Sequence, residues 1–138
     1  MTYGGTVSET RTVVEEFYRL LAAGEIDALG ELFADEIAWD IYGAKEVPWT
    51  GRRTTRAEAV EFFTSLPDHL QLENFTVSRI LVDGADAVAL GDMSHVVKAT
   101  GRTFASPFAF HLTVEAGKIT RYVTFEDSLE LARAFGAV

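Results

Sequence analysis

Apolar residues recur at helical spacing near the start of the chain, at Val13, Phe17, Leu20 and Leu21, with Val14 widening the stripe. Ahead of them Thr6-x-x-Glu9 fits a capping box, in which the threonine hydroxyl accepts from a free backbone N–H of the first turn. Together they predict a helix from about Thr6 to Ala23, closed by Gly24 as its left-handed C′ residue. Ile26, Leu29, Leu32 and Phe33 supply the buried side of a second, shorter helix that ends at Ala34-Asp35-Glu36, and Ile37 to Tyr42 reads as a strand. Gly43, Pro48 and Gly51 mark Gly43 to Arg53 as a loop. Thr55-x-x-Glu58 is a second capping box. It opens a helix that turns Val60, Phe63 and Leu66 inward and is expected to stop at Pro67.

From Leu70 onward the hydrophobic period moves towards two, which predicts strands over Leu70 to Val82, Ala87 to Ala99, Thr103 to Glu115 and Lys118 to Glu126. The turns between them, Asp83 to Asp86, Thr100-Gly101-Arg102 and Ala116-Gly117, are short, so neighbouring strands pair antiparallel. A last helix, Ser128 to Phe135, buries Leu129, Leu131, Ala132 and Phe135. Helices followed by a strand meander form an α+β fold, here a cone-shaped curved antiparallel sheet wrapped on the N-terminal helices, in one domain spanning 1–138. If the last two turns fix the register, His95, Pro107 and Glu126 form one row across the sheet. Met93, Ala109 and Thr124 form the next, and Gly91, His111 and Tyr122 another. The opposite face then carries Phe104, Phe108, Phe110, Leu112, Val114, Val123 and Phe125.

Composition narrows the function classes. With no Cys among 138 residues, disulfides, thiolate nucleophiles and Cys-bound metals are excluded. The net charge of −9 and the dispersal of Lys and Arg among acidic residues argue against a nucleic-acid partner. Arg52, Arg53 and Arg56 form the one basic cluster, read either as solvated surface or as a clamp for a phosphate or carboxylate. Met1 to Thr6 lacks the basic and apolar regions of a leader, and no apolar run could span a bilayer, so the default expectation is a cytoplasmic protein with no membrane partner. His69, His95 and His111 have no metal-ligand spacing, and no His-Glu-x-x-His, Gly-x-Ser-x-Gly, phosphate loop or dinucleotide fingerprint occurs. Neither a metal nor a cofactor is therefore expected.

The order Ala22-Ala23-Gly24-Glu25-Ile26-Asp27, Leu32 to Glu36, Pro48-Trp49-Thr50-Gly51-Arg52, Gly117-Lys118-Ile119 and Phe125-Glu126-Asp127 resembles the SnoaL-like and ketosteroid-isomerase-like branch of the nuclear-transport-factor-2-like superfamily. The resemblance implies a cystatin-like α+β barrel with a pocket for a small molecule. It also implies either cofactor-free acid/base chemistry (isomerase, cyclase, dehydratase or epoxide hydrolase) on an apolar cyclic or polyketide-like metabolite, or a binding or assembly domain that has lost its catalytic set. The isomerase tyrosine, base and protonated acid align with Phe17, Ile41 and Ala109, with Tyr18 and Asp40 one residue away. The epoxide-hydrolase set aligns with Met93, Gly91, Thr124, Trp39 and Ile41. Neither set is present.

Two readings of the sheet faces stay open. In one, the Phe-rich face is the core and the His-bearing face is solvated. In the other, which the resemblance favours, the His-bearing face lines the pocket, and Phe104, Phe108, Phe110, Leu112, Val123 and Phe125 bury against a second copy in a homodimer. On that second reading His95 or His111 carries the proton, Glu126 orients it or replaces it, and Asp40 is a further candidate base. Phe17, Trp39, Ile41, Trp49, Met93, Ala109, Tyr122 and Thr124 then line the substrate site.

Overall fold

The computed structural model describes residues 6–138; the expectation about a leader falls largely on Met1 to Gly5, outside the described residues. Helix α1 spans Val7–Ala23, with the Thr6 hydroxyl accepting from Glu9 N and Gly24 at φ 72° as its left-handed cap. A short helix α2 follows at Ile26–Gly30. Strand β1 begins at Phe33, not Ile37, and runs to Ile41, so the predicted helical end Phe33 to Glu36 is extended chain. Phe33, Ile37, Trp39 and Ile41 are its buried positions, a period of two that the apolar count from Ile26 onwards had masked.

A second strand, β2 at Gly51–Thr55, occupies the end of the expected loop. Its Gly-Arg-Arg-Thr-Thr sequence has no apolar alternation, and its place is set by pairing with β1. Helix α3 spans Arg56–His69, capped at Thr55, and passes through Pro67 instead of stopping there. Proline forfeits a backbone donor only for the turn before it, and at the last turn of a helix that loss is small. The Pro67 carbonyl is taken up by Lys98 Nζ.

Strands β3 (Leu70–Asp83), β4 (Asp86–Val97), β5 (Thr103–Glu115) and β6 (Lys118–Glu126) form the meander, and α4 (Ser128–Ala134) closes the chain. The curved sheet does not close; its order is β2-β1-β6-β5-β4-β3, and all neighbours are antiparallel except β1 with β6. Helices α1 and α3 pack on its concave side. Among the described residues no helix is long and apolar enough to cross a membrane.

Both registers differ from expectation by an odd number of residues, which exchanges faces. Strand β4 ends at Val97, so the loop to β5 is longer than the predicted turn and His95 pairs with Phe104 instead of Pro107. In β6 the first pairs follow the predicted register, Glu115 with Lys118 and Val114 with Ile119. Thr120 is then an extra residue opposite Thr113, a bulge after which Leu112 meets Tyr122 and Phe108 meets Glu126.

The inward rows are therefore mixed. Phe104, Phe108, Phe110, Leu112 and Val114 face the helices together with Ala87, Ala89, Met93, His95, Tyr122 and Thr124. Pro107, Ala109, His111, Val123 and Phe125 lie on the outer side. Neither face reading of the sequence holds as written: four of the six residues assigned to a dimer face fill the core, and only Val123 and Phe125 face outward. Burying each such phenylalanine contributes about 2 kcal/mol, a strong reason for the rings to choose the helix-covered side.

Candidate functional site

Tyrosines from distant elements meet at the centre of the concave side. Tyr18, one residue beyond the aligned Phe17, is buried along with it because the apolar stripe of α1 is wide enough for both. Its hydroxyl lies 3.4 Å from that of Tyr122, brought inward by the bulge. Whichever phenol donates, the other keeps its own O–H free for a further acceptor. Burial pushes the pKa of Tyr18 up and that of Tyr122 well above the usual phenol value, so both are neutral donors at physiological pH.

Around the pair lies an aromatic shell. Trp39 stacks on Tyr122 with centroids 4.8 Å apart, Phe17 meets Tyr122 edge-on at 5.5 Å, and Tyr18 stacks on Phe75. Phe75, Phe108 and Phe110 continue the stack, with Phe108 and Phe110 only 4.2 Å apart. The interior is thus largely occupied by rings. The polar atoms within it stand out: Trp39 Nε1 and His95 Nδ1 are buried with no hydrogen-bond partner among the described residues.

Glu126 follows Tyr122 and Thr124 on the inner side of β6, opposite Phe108. Among the described residues its carboxylate has no hydrogen-bond or ion-pair partner, and burial pushes its pKa up to about 7. It also borders a shallow surface hollow of about 420 Å³ that opens toward the outer side of the sheet, shared with Pro107, Phe108, Ala109, Phe125 and Asp127. A half-neutral carboxyl that reaches solvent on one side and an apolar wall on the other is suited to proton transfer near neutral pH.

The other sequence candidates are distributed as follows. His95 is buried and faces inward beside Phe104; burial pulls its pKa below the usual histidine value, with Glu73 opposing weakly, so the imidazole is neutral at pH 7. It stands two inward positions along β4 from the row of Glu126, so the expected His95–Glu126 row does not form. His111 is on the outer side, its Nε2 2.9 Å from Asp86, and is not opposed to Tyr122. Asp40 also faces outward, 3.3 Å from Arg52. Ala109 lies outside as well, which removes it from the substrate-lining set.

Phe17, Trp39, Ile41 and Met93 are buried on the inner side, and Thr124 donates to the Asp40 carbonyl. Trp49 is buried in the β1–β2 loop against Phe62, His69 and Phe135. In the sequence Tyr18 stands one position out of line with the isomerase tyrosine. The signal that could have recovered it is the Val14, Phe17, Leu21 row beside it, which makes the next helical position part of the same buried stripe.

A family model described as SnoaL-like domain matches residues 14–122. None of the curated proteins compared is significantly similar in sequence. Among solved structures, an NTF2-like protein from Burkholderia xenovorans LB400 superposes with a TM-score of 0.86 at 25% identity, over 96% of this chain and 99% of its own. A proposed polyketide cyclase from Xanthomonas campestris pv. campestris gives 0.73 at 21% identity, covering 94% and 98%. A proposed ketosteroid isomerase from Kribbella flavida DSM 17836 gives 0.65 at 20%, covering 88% and 79%; at those identities the last two establish the shared fold alone.

Proposed function

Since the chain belongs to the SnoaL-like family and has the NTF2-like fold, we propose that it is a cofactor-free acid/base enzyme acting on a cyclic or polyketide-like metabolite with a flat, mostly apolar body. The observation that carries this reading is Glu126, a partnerless carboxyl at a pKa of about 7 on the same side of β6 as a buried phenol pair. In the proposed step the Glu126 carboxylate takes a proton from the carbon beside a ketone. The C–H electron pair moves into the ring, and the carbonyl oxygen becomes an enolate that accepts from the free phenol O–H. In a β,γ-unsaturated ketone, return of the proton from Glu126 to the γ-carbon, with the double bond shifting into conjugation with the re-formed carbonyl, completes an isomerisation; attack of the enolate carbon on a second carbonyl, whose oxygen then takes the proton from Glu126, completes a cyclisation. That the same fold is described for a proposed polyketide cyclase and a proposed ketosteroid isomerase is in keeping with this reaction class.

Exchange of the α-hydrogens of 2-tetralone in deuterated buffer, followed by proton NMR, tests the first half of this step without the natural substrate. The wild-type protein is expected to accelerate exchange, and Tyr18→Phe and Tyr122→Phe each to lose about tenfold or more, while Asp40→Asn and His111→Gln leave it unchanged. No acceleration by the wild type would favour a second reading, a non-catalytic domain. The close ring packing around Tyr122 is the observation on that side.

The proposed assembly is a homodimer through the outer sheet face. Phe125 is 51% exposed there, stacked on Tyr42 at 59%, with Val88 and Leu90 on the same face. Light scattering is expected to find a dimer, and Phe125→Lys to convert it to monomer; a variant as dimeric as the wild type would place the interface elsewhere.

A further inference from the structure

The three arginines of the basic cluster are engaged differently. Arg52 faces outward onto Asp40. Arg56 donates Nε and Nη2 to the Phe33 carbonyl at 3.0 and 2.8 Å and reaches Glu31 and Asp35. Arg53, between them, stands opposite Trp39 in the β1–β2 register and so turns to the inner side. Its guanidinium carbon lies 5.6 Å from the centre of the Trp39 ring and 5.0 Å from that of Phe62.

Arg53 Nη1 donates to the Trp49 carbonyl at 2.8 Å, and its remaining N–H groups have no partner among the described residues. No described carboxylate lies within ion-pairing distance; Glu61 and Glu58 act on it only from farther off, and burial pulls its pKa below the usual arginine range. A partly desolvated guanidinium without a counter-ion is an incomplete arrangement, because the planar donor fork is suited to a carboxylate. Trp39 adds the indole N–H of the same ring system, buried and without a hydrogen-bond partner among the described residues, and its ring packs against Phe33, Phe62, Phe63 and Tyr122 of the phenol pair.

We propose that Arg53, held over the Trp39 and Phe62 rings, anchors a carboxylate on the ligand of the cone, so that the substrate class is a flat carboxylic acid. The assignment rests on the acid/base pocket reading above and specifies its ligand. One unpaired guanidinium matches one carboxylate. A phosphate dianion would need a second cation, and the neighbouring Arg52 and Arg56 already hold acidic partners. In a chain of net charge −9 an unpaired, half-buried arginine also provides a local positive site for an anion that the rest of the surface repels.

Titration calorimetry with 2-naphthoate and its neutral analogue 2-naphthamide tests this. Wild-type protein is expected to bind the carboxylate about tenfold more tightly than the amide, the scale of one hydrogen bond to a charged group. Arg53→Gln should bring the two affinities together while leaving that for the amide unchanged. Arg52→Gln, on the outer face, should keep the preference. Arg53→Lys retains the charge without the fork and should keep only part of it, which makes the test decidable if Arg53→Gln fails to fold. Equal binding of both probes by the wild type, or a preference that survives Arg53→Gln, would overturn the anchor and leave the pocket standing. Binding of neither probe would overturn both.

Discussion

Glu126→Gln is expected to abolish proton exchange and at the same time to make the protein more stable at pH 8. The first effect follows from the role of the carboxylate as base: loss of a positioned general base lowers rates by about a hundredfold to ten-thousandfold. The second follows from linkage. The folded-state pKa of about 7 lies above the ordinary carboxyl value of 4.5, so between those values the folded protein holds a proton that the unfolded chain has released. Its contribution is fully present below the unfolded value and is lost as pH rises through the folded one. By pH 8 the charged, buried Glu126 costs on the order of 3 kcal/mol relative to acidic conditions, and glutamine, neutral at every pH, removes that cost.

His95 runs in the opposite sense: its pKa is depressed, so its contribution is present above the ordinary histidine value and lost as pH falls through the folded one. Urea unfolding of wild type and Glu126→Gln at pH 5 and pH 8 isolates the glutamate, since His95 cancels in the difference. The gap between the two proteins should widen at pH 8. Parallel stability curves would show that the carboxyl is not buried as described, and would remove the basis of its catalytic role.

Gly91→Ala carries the largest expected loss of stability. A β-carbon at Gly91 would lie 1.9 Å from the Thr76 carbonyl oxygen and 2.6 Å from Phe108 Cζ. The first neighbour is backbone and cannot swing aside, so β3 must separate from β4 at the bulge where Val77 meets Gly91 and Arg79 meets Leu90. Overpacking costs about 1–3 kcal/mol in a core that can adjust; with ladder hydrogen bonds broken as well, roughly 3 kcal/mol or more is expected in urea denaturation. A change below about 1 kcal/mol would mean that β3 is readily displaced. Gly91 is also connected to the site. It gives the Phe108 ring its room, and Phe108 stands opposite Glu126. Loss of that packing should let water reach the carboxyl and lower its pKa.

The sequence was informative where structure is local. Both capping boxes, the Gly24 cap and the spans of β5 and β6 follow from residues adjacent in the chain. The two-residue turns did too: Ala116 and Gly117 both take positive φ, as a tight hairpin requires. The connection from β4 to β5 did not, because distant groups determine it. Lys98 N donates to the His69 carbonyl, Thr100 Oγ1 to the Ala134 carbonyl and Arg102 to the Arg133 carbonyl. These contacts with α3 and α4 draw residues 98–102 out of the ladder, and no pattern within the segment announces them. Half of the site was affected as a result: His111 and Ala109 moved outside, Phe108 and Phe110 moved inside, and Arg53 could be told from Arg52 and Arg56 only once β2 was known to be a strand.

Thr120 touches neither the phenol pair nor Glu126; its hydroxyl bonds Glu115 and, more weakly, the Thr113 carbonyl. Yet Tyr122, Thr124 and Glu126 owe their inward aim to the bulge around it, since a regular ladder through every residue from Lys118 to Glu126 would bring Val123 and Phe125 inward instead. Loss of Thr120 would leave Thr113 opposite Arg121 and Leu112 opposite Tyr122, straightening the strand while the lining keeps its aim. Relatives that lack the bulge therefore align only if the gap is placed at Thr120; a gap placed farther along β6 would pair residues that point in opposite directions.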